Sequence, residues 1–145
     1  MSDVINLDAL VFIVNHGASR KVMKVAKEYD ISGATVFSGM GTSSQNKLLD
    51  FFDLNDSKKD IMLALCEEKT AEIALEGVAK RFKFNKPNHG IGFVLPVSQI
   101  LGSQQFHDET LEEGDEETMY QSIFVIVDKG KAEEVVEAAT LGGAR

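Results

Sequence analysis

Residues Ile61-Met62-Leu63-Ala64-Leu65-Cys66 are apolar without interruption. A strand with no polar side belongs at the centre of a sheet, with neighbours along both edges. Shorter runs supply those neighbours: Leu10–Val14, closed by Asn15-His16-Gly17, then Thr35–Ser38, and Ile91–Pro96, which Val97–Leu101 extends after a bend. Between the first two runs, Val22, Met23, Val25, Ala26 and Tyr29 recur at helical spacing. Arg20, Lys21, Lys24 and Lys27 turn to solvent, and Ser19 is placed to cap the helix. Thr70 opens a second helix with the stripe Ala71, Leu75, Val78 and Phe82, and Asn85–Gly90 reads as a loop. The order β-α-β-β-α-β predicts a ferredoxin-like α+β sandwich, both helices covering one face of a four-stranded antiparallel sheet. The other face is also apolar, so a second subunit is needed to cover it, and the chain reads as a homo-oligomer.

The 145 residues, 43% of them hydrophobic, suffice for one domain of about 100 residues and an extension. We place that domain at 7–106, an acidic linker at 107–119 and an incomplete second βα repeat at 120–145. Asp108–Glu117 is almost wholly polar and acidic and cannot pack as a core. Beyond it, Phe124-Val125-Ile126-Val127-Asp128-Lys129-Gly130 echoes Val11-Phe12-Ile13-Val14-Asn15-His16-Gly17 without a gap. A lone strand and helix cannot bury their apolar sides, so Ile123, Val125, Val127, Val135 and Val136 need a partner surface.

A formal charge of −8 argues against nucleic acid as the main partner. No apolar run approaches the ~20 residues of a membrane span, and Met1-Ser2-Asp3-Val4 does not open a signal peptide. The one cysteine, Cys66, excludes an internal disulfide and fits a reducing, cytoplasmic setting.

The chemistry-bearing candidates are few. Gly39-Met40-Gly41 follows the second strand, and glycines there let bare backbone N–H groups approach a ligand. The segment Gly41–Lys59 is longer than a hairpin turn; Leu48, Leu49, Phe51, Phe52 and Leu54 sit in it at helix-like spacing. They read either as a short helix over the core edge or as a partner-docking surface. His89, ahead of Gly90, is retained as a ligand contact; His16 reads as a capping or solvent-exposed residue, and His107 pairs with the acidic run. Cys66 reads as packing. No His, Cys and carboxylate set has metal-ligand spacing, and no nucleophile-elbow, P-loop or zinc-protease motif occurs, so no catalytic or metal residues are assigned and an enzyme is not expected.

With these residues in place, Leu10–Gly102 resembles the PII family of nitrogen-regulatory signal proteins, most closely its divergent members with a short central loop. The resemblance is carried by Gly33, Thr35, Gly39 and Gly41, and by Pro87-Asn88-His89-Gly90-Ile91-Gly92-Phe93-Val94-Leu95-Pro96-Val97. It implies a homotrimer whose sheets face inward. It also implies clefts between subunits that bind ATP, ADP or AMP, often with 2-oxoglutarate, and a loop that docks on a regulated enzyme or membrane transporter. Carried over residue by residue, Thr35, Gly39 and Gly41 meet the nucleotide, and Asn88, His89 and Gly90 form the turn at its phosphates. Ser43, Leu48, Phe51 and Phe52 fall in the docking loop.

This chain departs from the family where basic residues hold phosphate oxygens: Ile91, Gly102 and Gln104 stand nearest those positions, and Met40 occupies a place where divergent relatives carry arginine. His89, Lys86, Lys83 and Arg81 lead into the Gly90 turn as substitutes. The loop has no tyrosine to modify. The alternative reading is a degenerate ferredoxin-like oligomerisation and protein-interaction module with no small-molecule ligand.

Overall fold

The computed structural model describes residues 6–40, 58–102 and 121–144. Two compact units divide the chain, Met1–Glu113 and Gly114–Arg145. The first contains β1 (Leu7–Asn15), α1 (Ser19–Lys27), β2 (Thr35–Met40), β3 (Lys58–Glu67), α2 (Glu68–Arg81) and β4 (Ile91–Val97). They form an antiparallel sheet in the order β2-β3-β1-β4, the ferredoxin-like arrangement expected. The apolar run Ile61–Cys66 lies in β3, inside the sheet, as its composition requires.

Register decides which side chains meet the helices. Leu10, Phe12 and Val14 of β1 and Met62, Ala64 and Cys66 of β3 pack with Val22, Val25 and Ala26 of α1 and with Ala71, Ala74 and Val78 of α2. Gly92 belongs to this layer: a Cβ there would lie 2.7 Å from Leu75 Cδ1 and 2.8 Å from Phe12 Cδ1. Its absence lets α2 settle onto β4. The alternate residues build the second face, where Val11 and Leu63 are buried in the middle. Towards the edges Phe37 is 45% exposed, Ile91 56%, Phe93 37% and Leu95 37%.

Three sequence expectations need correction. The strands run further than their apolar cores, because Asp8 and Asp60 interrupt the hydrophobic pattern yet are buried within β1 and β3. Ser19 is the first residue of α1, not its cap: Ala18 holds the cap position without a side-chain bond, and the Ser19 hydroxyl donates to Asp60. In the second unit, 121–128 form no strand, although Phe124–Val127 was expected to; α3 (Ala132–Leu141) forms. A strand needs a ladder partner, and these residues meet none among those described.

Candidate functional site

One end of the sheet collects the polar residues. Asn15, at the end of β1, pairs with Lys59 at the start of β3, and Lys59 pairs in turn with Gly39 near the end of β2. Across β1, Ile13 pairs with Ile91, which brings the Asn88-His89-Gly90 turn to the same end. Hydrogen bonds join these pieces. Lys59 Nζ donates to Asn15 Oδ1 at 2.6 Å, and Asn15 Nδ2 donates to the Asn88 carbonyl at 3.0 Å. The row from β3 to the α2–β4 turn is therefore fixed by side chains as well as by the ladder.

The turn has backbone reasons for its sequence. Asn88 takes φ +61°, which asparagine tolerates better than most residues. Gly90 takes φ +130°, and a Cβ there would lie 2.7 Å from Phe84 Cε1 and 3.1 Å from Val14 Cγ1. Only glycine fits. The His89 ring donates from Nδ1 to the Phe82 carbonyl at 3.1 Å.

Beneath this surface lies a charged clamp. Asp60, 4% exposed, accepts from the Ser19 hydroxyl at 2.7 Å and the Gly17 N–H at 2.9 Å, and sits 2.8 Å from His16 Nδ1. The carboxylate of β3 thus does for the start of α1 what a capping side chain would do from within the helix. The Ser19 bond, with those of His16, Gly17 and the Ser19 backbone, holds the Asp60 carboxyl at about 2 against the opposing effect of burial. His16, read from sequence as capping or exposed, is exposed at 61% of its side chain and caps no helix; its ring contacts Asp60 instead. The far end of β1 has the opposite character. There Asp8 is buried, and burial, then Glu68 and Glu72, push its carboxyl up.

The sequence-assigned site residues divide accordingly. Gly39, Asn88, His89 and Gly90 come to one end of the sheet. Thr35 does not: it pairs with Leu63, four residue pairs along the ladder from Gly39, about 13 Å at strand rise. Gly41, Ser43, Leu48, Phe51 and Phe52 lie outside the described residues. Of the substitute cations, Arg81 is engaged, its Nη2 3.3 Å from Glu28 Oε2. Sequence reasoning missed Lys58, Lys59 and Asn15. Two lysines a residue short of the apolar run, at the start of β3, were the available signal, since a strand's first residues share a row with the neighbouring strand's last ones. Cys66 is core: burial pushes its thiol up to about 11.

No protein-family model and no curated protein matches this chain. Among solved structures, PII from Arabidopsis thaliana bound to citrate aligns with a TM-score of 0.52 at 19% identity, over 81% of this chain and 94% of that one. The apo form of CPII from Thiomonas intermedia K12, a nitrogen regulatory PII-like protein, gives a TM-score of 0.49 at 16% identity, over 63% of this chain and 89% of its own. CPII bound to ADP, AMP and acetate gives 0.47 at 18%, over 64% and 87%. The topology β2-β3-β1-β4 and the alignment with the Arabidopsis protein agree: the four-stranded unit has the fold of the PII signalling proteins.

Proposed function

We propose that this protein is a PII-like signal carrier that binds an adenine nucleotide between subunits of a trimer and thereby regulates a partner enzyme or transporter of nitrogen metabolism. One observation carries the reading. Gly39, Lys59 and Asn15 form a row that meets the Asn88–Gly90 turn, with Lys59 as the charge-assisted donor a phosphate needs. Thr35 shares Gly39's face of the sheet, about 13 Å further along β2, a span that an extended nucleotide can bridge. The apolar second face is the surface on which copies meet. Lys59 and His89 take over the part played by arginines in the family pattern. The regulated partner is engaged by the segment containing Ser43, Leu48, Phe51 and Phe52.

Calorimetric titration with ATP, ADP and AMP, with and without magnesium, tests this. The unmodified protein is expected to bind one of them, and Lys59→Ala to weaken that binding about tenfold, the worth of one charged hydrogen bond. No heat with any nucleotide, from a protein that is a stable trimer, overturns the reading in favour of a ligand-free interaction module.

A further inference from the structure

The second unit repeats the opening of the first in its backbone as well as its sequence. Gly17 and Gly130 both take positive φ, +86° and +94°. One residue on, the Ala18 N–H bonds to the Asn15 carbonyl at 3.0 Å, and the Lys131 N–H to the Asp128 carbonyl at 3.2 Å. The helices begin at Ser19 and Ala132. They end alike too: Asp30 and Gly143 take φ of +64° and +98°, and Ile31 and Ala144 bond back to Ala26 and Ala139. A single offset along the chain superimposes every one of these features.

That offset shows what 121–128 would need. Ile123, Val125 and Val127 fall on Leu10, Phe12 and Val14, the β1 residues buried under α1. Val135, Ala138 and Ala139 of α3 fall on Val22, Val25 and Ala26 of α1, the apolar stripe that does the covering. Yet Ile123 is 77% exposed, Val125 54%, Val127 45% and Val136 63%, and α3 buries none of its residues. A contiguous apolar segment left this open marks an interaction site.

Its own sequence identifies the occupant. Antiparallel self-pairing centred on Val125 sets Phe124 opposite Ile126, Ile123 opposite Val127, Ser122 opposite Asp128, and Gln121 opposite Lys129. No like charges meet, and every apolar residue faces another. Centring instead on Ile126 would set Asp128 against Phe124 and Lys129 against Ile123. In the register centred on Val125 a two-fold axis normal to the strands puts both α3 helices on the face of Ile123, Val125 and Val127. We propose that residues 121–144 are a second copy of the β1–α1 element and that they join two chains through this isologous strand pair.

The full chain tests this without reference to nucleotide binding. Phe93→Glu, on the second sheet face, removes assembly through the four-stranded units; light scattering is expected still to give a dimer, and adding Val125→Lys to give a monomer. Val125→Cys is expected to form a disulfide-linked dimer under mild oxidation, since the residue meets its own copy within bridging distance, whereas Ile123→Cys, opposite Val127, forms none. Buried Cys66 stays silent. A monomeric Phe93→Glu chain, or no cross-link at position 125, overturns the proposal. So does a monomer whose 121–128 amides are protected from exchange, because the strand would then be covered within its own chain.

Discussion

Asp60 shows how one side chain can serve both a helix and a strand. Its carboxylate is buried under the start of α1 and held by the Ser19 hydroxyl, His16 and the Gly17 N–H. Its folded value of about 2 lies below the usual 3.8. A depressed carboxylate stabilises the fold wherever the unfolded chain is also ionised, so the contribution is complete above about pH 5. As the pH falls from about 4 towards 2, the unfolded state takes up the proton first and that stabilisation is lost. Urea unfolding at pH 7, 4 and 3 should show this loss in the unmodified protein. Asp60→Asn is expected to be less stable by about 2 kcal/mol at pH 7 and to lack that share of the acid dependence, because an amide oxygen that keeps the Gly17 and Ser19 bonds brings no charge to them and turns its nitrogen towards His16. Equal acid sensitivity of the two proteins would place the titration elsewhere. Asp60 was invisible to pattern reading for a simple reason: a charge ahead of an apolar run looks like the run's boundary. Only register shows that it is inside.

At the scale of elements, the fold was legible where side chains alternate or recur and illegible where spacing carries no signal. The four strands and two helices of the first unit follow from apolar periodicity. The strand expected at Phe124–Val127 does not form, since hydrophobicity alone specifies a wish to be buried and a ladder needs a second chain segment. Gly92 is a sequence feature whose meaning appears only in packing. Substituting alanine sets a methyl against Leu75 and Phe12, both locked into the core layer. Gly92→Ala is expected to lower the urea midpoint by the equivalent of about 1–3 kcal/mol with an unchanged slope, because overpacking strains the native state without altering the surface exposed on unfolding. A neutral or stabilising result would mean that α2 can slide on β4.

For the whole molecule, the division between site and sheet matters most. Gly90 was readable from sequence as a turn glycine, and the positive φ it takes demands one. The place of Lys59 was not, because it joins Gly39 and Asn15 only through pairing between strands far apart in the chain. The apolar second face belongs to this scale too. Phe93→Glu puts a charge in the middle of its exposed rim and should reduce the mass of the first unit's assembly to that of a protomer, measured on 1–120 by light scattering beside the unmodified fragment. If both fragments have the same mass, copies do not meet on this face, and a cleft between subunits there has no basis.

The clamp at Asp60 also sets an order of events for the folding chain. The carboxylate comes from a residue 41 positions beyond the serine it binds, so α1 starts without its counter-charge and receives it only when β3 has docked. Closing that long loop and completing the helix are therefore one step, and a ribosome-bound chain that has not yet delivered β3 holds α1 only loosely. The second βα element escapes this dependence, with Ala132 in place of Ser19 and Lys129 in place of His16. Its ten-residue helix waits for no counter-charge and depends instead on what covers its apolar stripe.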